Sequence, residues 1–398
     1  MPLQEHMKLI SVDDHAIEHA RVWTDRLPAR YQDAAPHVEE RVVETMAQLN
    51  QAITGSQQVW VYEGVPYPEL GLNAVAGKAH EDFGTEPMRF EDMIPGCYDP
   101  VARVADLDLD GIQAQLNFPS FPRFAGTRFL RGEDKELALL CIQAWNDWML
   151  DEWCAAAPDR YIPMGMVPVW DVDAAVVEAQ RLAANGCKTI TFPENPVPLG
   201  LPSFHTDHWD RFFAVVEESG MPLAMHFGTS GVVPQTAPEA PITVMIALMG
   251  TNSQAALTDL LFSPVFHKFP GLKVSLAEGG IGWMPYQLER IDYVWERHRF
   301  YADVNTEVRP SDLFRRNVWG CFIDDEAGLA LRHTLGVDRL TWECDYPHSD
   351  SNWPHARKRA AEMFADLPDD EVQAIAELNA RSLYSWDADG GPILDPAR

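Results

Sequence analysis

Eight short apolar runs, separated by stretches with apolar residues at helical spacing, constrain this chain more than any other feature. The runs lie at 9–12, 111–117 (GIQAQLN), 162–167 (IPMGMV), 187–192 (CKTITF), 222–226 (PLAMH), 272–277 (LKVSLA), 319–323 (WGCFI) and 340–343 (LTWE). Each is the right length for a strand. Between them, 136–154, 172–184, 208–219 and 284–297 carry the helical period. Gly186, Gly220 with Pro222, and Pro270 with Gly271 stand where the preceding helix must close. Strands alternating with helices imply a parallel sheet, because parallel strands need a long crossover. Eight such units favour closure into a (β/α)8 TIM barrel over an open doubly wound sheet. No GxGxxG follows the first run, which argues against a dinucleotide-binding fold.

With 398 residues, 46% of them hydrophobic, the chain can bury one large core, and α/β barrels of this length often form one unit. We therefore expect a single barrel domain over residues 1–398. Two regions break the rhythm. Residues 36–97 contain Pro66, Pro68, Gly71, Gly77, Gly84 and Pro87 without clean alternation, and predict an insertion after the first strand, a lid over the barrel mouth. Residues 193–208 (PENPVPLGLPSFHTDH) form a proline-stiffened loop after the fourth strand. From about Asp387 the Gly-, Pro- and Asp-rich tail is expected to wrap the barrel exterior or a partner subunit.

The formal charge is −29. Such a field repels phosphate backbones and anionic lipid, so neither nucleic acid nor a membrane surface is an expected partner. A small carboxylate substrate would need local positive charge, which a bound cation supplies. Cys97, Cys141, Cys154, Cys187, Cys321 and Cys344 include no CxxC pair, as expected of reduced thiols in a cytoplasmic protein. No run approaches a membrane span or a signal-peptide core. The aromatic surplus points to a homo-oligomer.

Barrel active sites lie at the C-terminal ends of the strands. Here the first strand ends in Asp13-Asp14-His15, the fifth in His226, the sixth in Glu278-Gly279-Gly280, and the eighth in Asp345-Tyr346-Pro347-His348. Asp13 and His15 are two apart on extended chain, so they share a face. Alone, a strand-end His is more often structural, and an Asp before Tyr-Pro is usually a turn former. Their coincidence on one face predicts a divalent-metal site of Asp13, His15, His226 and Asp345. Imidazole and carboxylate donors without thiolate suit Zn or Mn and argue against a closed structural zinc site.

The segments SVDDHAIEHARVWTDRLPAR, FPENPVPLGLPSFHTDHW, MHFGTSG, AEGGIGWMPYQLERID and WECDYPHSDSNWP resemble the amidohydrolase-related family of the amidohydrolase superfamily. Within it they resemble the branch of aminocarboxymuconate semialdehyde decarboxylase and the resorcylate-type decarboxylases. The resemblance spans about residues 8–385 and is weak across 36–97. It implies that Asp13-x-His15 stands for the branch's first-strand HxH, with His226 and Asp345 matching the fifth- and eighth-strand ligands. The departure is Glu278, where many members carry a catalytic or ligating His.

Three roles are open to Glu278: metal ligand, general acid or base of raised pKa, or cap of the helix begun at Gly280. Catalytic roles fall on Asp345, Glu278 and His226, and substrate contacts on Glu194, His348 and Trp283. Further polar candidates are Glu18, Asn195, His205, His208 and Asp350; for His205 and His208 a surface role is favoured. Candidate ring-binding walls are Phe118, Phe121, Tyr346 and Trp353. The resemblance implies non-oxidative decarboxylation of a small cyclic or unsaturated carboxylic acid. Hydrolysis of an amide, lactone or C–C bond by metal-bound hydroxide is the second expectation, and a non-catalytic metabolite-binding barrel the third.

Overall fold

The computed structural model describes residues 3–42, 45–46, 51–52 and 55–387. The apolar runs fold as β1 (Ile10–Ala16), β2 (Ala114–Pro119), β3 (divided into Tyr161–Ile162 and Met164–Gly165), β4 (Thr189–Thr191), β5 (Leu223–His226), β6 (Val274–Ala277), β7 (Val318–Phe322) and β8 (Leu340–Trp342). All pair in parallel with their sequence neighbours, in the strand order of a (β/α)8 TIM barrel.

Regular pairing does not run unbroken around the ring. It forms one sheet from β1 to the first half of β3 and another from the second half of β3 to β8. The break inside β3 falls at Pro163, which has no N–H to give; its carbonyl still accepts from Lys188 N at 2.8 Å. Across the other seam, Asp345 N donates to Asp13 O at 2.8 Å and His15 N to Tyr346 O at 2.7 Å. Ser11 Oγ also accepts from Cys344 N at 2.8 Å. These bonds hold the ends of β1 and β8 side by side.

The outer helices include α1 (Pro100–Asp110), α2 (Lys135–Trp148), α3 (Val172–Ala184), α4 (Asp210–Ser219), α5 (Gly250–Phe262), α6 (Met284–His298), α7 (Pro310–Asn317) and α8 (Ala356–Met363). Asp99, Asp134 and Asp171 cap α1, α2 and α3, each accepting two backbone N–H bonds. The single helix predicted over 136–154 changes to π geometry at Met149–Cys154. One apolar cluster packs the helices onto the strands, with Leu182, Phe213, Leu260 and Leu288 among its members. A second unites Ile10, Val12, Leu116, Phe118, Met164 and Cys321 with Leu383, Tyr384 and Trp386 at and just after the end of the last helical segment, filling the barrel interior.

Within residues 36–97 the strands His37–Val42, Ser56–Tyr62 and Val65–Tyr67 form a three-stranded antiparallel sheet. Glu63 and Gly64 turn the second hairpin with both φ positive, at 50° and 75°, as a two-residue primed turn requires. The Glu63 carboxylate accepts from Glu133 N and Asp134 N, both at 2.8 Å, and so ties the sheet to the start of α2. Trp60 packs on Phe121 and Trp23, with ring centroids 4.7 and 5.2 Å apart. The expectation for a tail beyond Asp387 lies outside the described residues. No helix among the described residues is long and apolar enough to cross a membrane.

Candidate metal centre and active site

The register of β1 against β2 slips between Ser11 and Asp14: Ile10 and Ser11 face Ala114 and Gln115, but Asp14 and His15 face Asn117 and Phe118. One extra residue in β1 makes a bulge, which reverses the side-chain alternation. Ile10 and Val12 point into the interior cluster, and beyond the bulge His15 stands level with the inward-facing Phe118. Without the bulge, Asp13 and His15 would share the outward face of Ser11.

His226 ends β5, Glu278 immediately follows β6 and Asp345 lies three residues beyond β8, with φ of 51° and 62° for the last two. Non-glycine residues rarely adopt this left-handed conformation, and it concentrates at functional sites. The side chains of Asp13, His15, His226 and Asp345 are fully buried. His15 Nε2 lies 3.5 Å from Asp13 Oδ1 and 3.2 Å from Asp345 Oδ1. His226 Nε2 lies 3.5 Å from Asp13 Oδ2 and 2.9 Å from Glu278 Oε2. His348 Nδ1 sits 2.9 Å from Asp345 Oδ1, and its ring stacks on His15 with centroids 3.6 Å apart.

His226 Nδ1 lies 2.7 Å from the Phe227 carbonyl. A carbonyl only accepts, so Nδ1 carries the proton and Nε2 turns a lone pair toward the carboxylates. The facing atoms have no hydrogen-bond partner: both carboxylate oxygens of Asp13 and of Asp345, the Nε2 atoms of His15 and His226, and Glu278 Oε2. A cation among these donors would satisfy the lone pairs that face one another in a dry interior. The donor atoms of Asp13, His15, His226 and Glu278 lie within 4.8 Å of one another, and so do those of His15, Glu278, Asp345 and His348. These residues fit one divalent ion.

Electrostatics agree. Burial, then neighbouring carboxylates, raise Asp13, Glu278 and Asp345 well above the usual carboxylate range. Burial lowers His226 and His348 to about 3. Imidazoles that resist protonation beside carboxyls that resist ionising form a donor set whose charge a divalent ion would balance.

The cluster opens into a cavity of about 420 Å³ whose wall includes Glu278, Asp345, His348 and Asp350. Phe124, Phe227, Val233, Met245, Ile246 and Met249 supply apolar surface, and Tyr67, Leu70, Leu72 and Asn73 bring the 36–97 segment to the same cavity. Phe124, which the sequence did not single out, lies 4.1 Å from the His226 ring and 4.8 Å from that of His15.

Glu194 and Trp283 are not among the residues lining this cavity. Glu194 Oε1 accepts from Gly228 N at 3.0 Å, Ser230 Oγ at 2.7 Å and Asn252 Nδ2 at 3.2 Å, so it braces the loop that follows His226. Trp283 Nε1 donates to Gly279 O at 2.8 Å, holding the turn after Glu278. Capping of the segment after Gly280 falls to Asp325, which accepts from Ile281 N at 2.7 Å and Gly282 N at 2.6 Å. Glu278 is thereby released from that duty.

Glu18 is buried and accepts from Ser120 N, Phe121 N and Trp145 Nε1 at 2.8–3.1 Å, bracing the loop after β2. His205 pairs with Asp259 at the surface. Tyr346 and Trp353 both donate to Asp106, and of the predicted aromatic walls Phe118 reaches the site, 5.1 Å from His226. Sequence reasoning missed the arginines: Arg103 donates to His15 O at 2.7 Å, and Arg123, Arg128 and Arg131 line the cavity. The last three follow the end of β2 (FPSFPRFAGTRFLR), a position on the active face that could have marked them.

The amidohydrolase family model matches residues 19–386, almost the whole barrel. The chain belongs to the amidohydrolase family. It is similar to 2-amino-3-carboxymuconate-6-semialdehyde decarboxylase of Dictyostelium discoideum, 23% identical over 65% of this chain and 69% of that one. It is similar also to gamma-resorcylate decarboxylase of a Rhizobium species, 26% identical over 64% of this chain and 79% of that one. Among solved amidohydrolase-type structures, 5-carboxyvanillate decarboxylase of Novosphingobium aromaticivorans, complexed with manganese and a nitrobenzoic acid, superposes with a TM-score of 0.65. That match covers 96% of this chain and 97% of the other at 19% identity, which supports the common barrel fold.

Proposed function

We propose that this amidohydrolase-family chain is a metal-dependent carboxy-lyase that removes CO2 without oxidation from a cyclic or unsaturated carboxylic acid. The carrying observation is the set of unpartnered, buried donor atoms on Asp13, His15, His226 and Asp345 beside a mostly apolar cavity. The decarboxylase relatives support the choice of lyase over hydrolase.

Asp13, His15, His226 and Asp345 would hold the ion, manganese or zinc. A cation there supplies Lewis-acid pull on the substrate carboxylate and a neighbouring oxygen. Glu278, on the cavity wall, where burial and then the neighbouring Asp345 push its pKa above the usual carboxylate range, would donate the proton. As the C–C bond breaks, its electron pair stays on the substrate carbon, and the Glu278 proton completes the new C–H bond. His348, on the same wall, orients Asp345 and contacts the substrate. Glu194 and Trp283 act indirectly, by holding the loops that carry His226 and Glu278. The 36–97 segment covers the mouth as a lid, and the protein works as a homodimer.

The test is to load the protein with manganese, measure bound metal, and screen aromatic and muconate-type acids for CO2 release. Asp345→Asn should lose stoichiometric metal and slow CO2 release by more than about a hundredfold. Normal turnover by a folded Asp345→Asn protein would overturn the metal mechanism. Incorporation of oxygen from labelled water into a product, with no CO2 from any acid, would replace the lyase by a hydrolase.

A further inference from the structure

Regular pairing does not cross the seam between β1 and β8, yet the chain there carries His15 and Asp345, with Nε2 and Oδ1 3.2 Å apart. Arg103 of α1 lies behind that seam and is fully buried. Its Nη2 donates to His15 O at 2.7 Å and to Cys97 O at 3.4 Å, and its Nε donates to Gly96 O. Its guanidinium stands 4.0 Å from the centre of the Tyr346 ring and 5.4 Å from that of Trp153. His15 N in turn donates to Tyr346 O at 2.7 Å. The contacts close a circuit from Arg103 to His15, from His15 to Tyr346, and from Tyr346 back to Arg103. His15 is one of the proposed ligands, and Tyr346 directly follows another. Three backbone carbonyls and two ring faces thus answer this buried cation, with Asp14 an opposing charge, and Nη1 has no hydrogen-bond partner. Burying a charge on such partners is costly, so its contacts need a reason beyond filling space.

We propose that Arg103 is a positioning residue for the metal centre, fixing His15 and, through Tyr346, Asp345 at the spacing that ion binding requires. The inference rests on the reading of Asp13, His15, His226 and Asp345 as ligands, and is independent of the reaction they serve. A ladder of bonds ordinarily holds two adjacent strands in register. At this seam single backbone bonds do that work, and Arg103 braces both residues of one of them. Guanidinium suits the task, because one planar fork reaches carbonyls on two chain segments while its flat face lies on an aromatic ring. Gly96 and Cys97 share the same group, so the end of the 36–97 segment is tied to the ligand as well. Charge and position act here in opposite directions. A guanidinium beside a cation site opposes the ion, whereas a brace that holds the ligands at their spacing favours it. The sign of the effect separates the two.

The test is titration of the full-length protein with manganese, in competition with a chelating dye, together with the visible spectrum of the cobalt-loaded protein. Arg103→Met should weaken manganese binding about tenfold or more, the scale of outer-shell partners, and alter the cobalt ligand-field bands. Arg103→Lys, which keeps the charge but not the fork, should lie between wild type and Arg103→Met. Leu182→Ala, a core truncation in α3, is the control: it lowers the urea midpoint and should leave the cobalt bands and the manganese affinity in place. Unchanged or tighter manganese binding by Arg103→Met would overturn the proposal. So would a loss that comes with unaltered cobalt bands, or one that Leu182→Ala reproduces at an equal drop in urea midpoint. If Arg103→Met does not fold, Arg103→Lys decides by the same criteria. Wild-type protein that takes up neither metal would sink the metal site and this inference together, whereas intact binding by the variants sinks this inference alone. CO2 release enters neither measurement, so the lyase reading stands or falls separately.

Discussion

Asp110 shows how one residue of this chain couples stability to pH away from the active site. Its Oδ1 accepts from Ala356 N at 2.6 Å, fastening α8 to the end of α1, while Oδ2 is buried without a partner. Burial raises its pKa from 3.8 to about 7. A carboxyl raised on folding favours the folded state below its unfolded pKa, and that contribution is lost as pH rises through the folded value. The sign therefore runs against the usual carboxylate. Asp110→Asn keeps the Oδ1 acceptor and removes the ionisation, so the variant should gain on wild type by about 3–4 kcal/mol between pH 4 and pH 8. Urea unfolding of both proteins at the two pH values checks this, and a difference independent of pH would sink it.

Among elements, the turn after β6 has the closest link between packing and chemistry. Asp325, at the start of the segment after β7, accepts from Ile281 N, Gly282 N and Gly328 N at 2.6–2.8 Å. Three otherwise unsatisfied donors thus converge on one carboxylate, and the turn they define carries Glu278. Asp325→Ala should cost about 1–2 kcal/mol of stability, as cap removal does, and slow CO2 release with bound metal retained. Loss of metal in step with stability would instead mean that the turn supports the ion. Gly328 has a second reason to be there: a Cβ would come within 2.3 Å of Ile281 Cγ1 and 3.0 Å of Gly282 N. Gly328→Ala should therefore destabilise by about 1–3 kcal/mol, measurable as a lower urea midpoint.

The whole molecule is acidic except in places, and one exception lies on the outer face of α6. Tyr286, Tyr293 and Phe300 are spaced by seven, and Tyr301 follows; all four are exposed, along one side of the helix and its extension. Arg297 lies over the Tyr293 ring at 3.4 Å and Arg299 over Phe300 at 4.5 Å. Aromatic residues with arginine are enriched at interfaces, so this stripe is the face expected to carry the proposed dimer contact. Light scattering should find a dimer, and Tyr293→Glu with Phe300→Ser should shift it toward monomer without loss of metal. A monomeric wild type at micromolar concentration would refute the assignment.

The eight strands, several of their helices and the strand-end residues of the proposed metal site were legible in the sequence because each is written locally. A buried parallel strand is an apolar run, a helix has its own period, and barrel chemistry collects at strand ends. His15, His226 and Asp345 could thus be named from position alone. What only the tertiary structure decided were matters of register and contact. The bulge in β1 turns Asp13 and His15 inward, and nothing in SVDDH announces an extra residue until β2 lies beside it. Glu278 and Asp325 are both carboxylates near a glycine-rich turn, and only three-dimensional proximity assigns the cap to Asp325. Glu194 follows β4 by three residues on the active face, yet its Oε1 accepts bonds from the neighbouring loop. The arginine wall was invisible for the same reason: a guanidinium's role depends on which carboxylate or cavity it meets, and the fold brings Glu69 to Arg128 across 59 residues of chain.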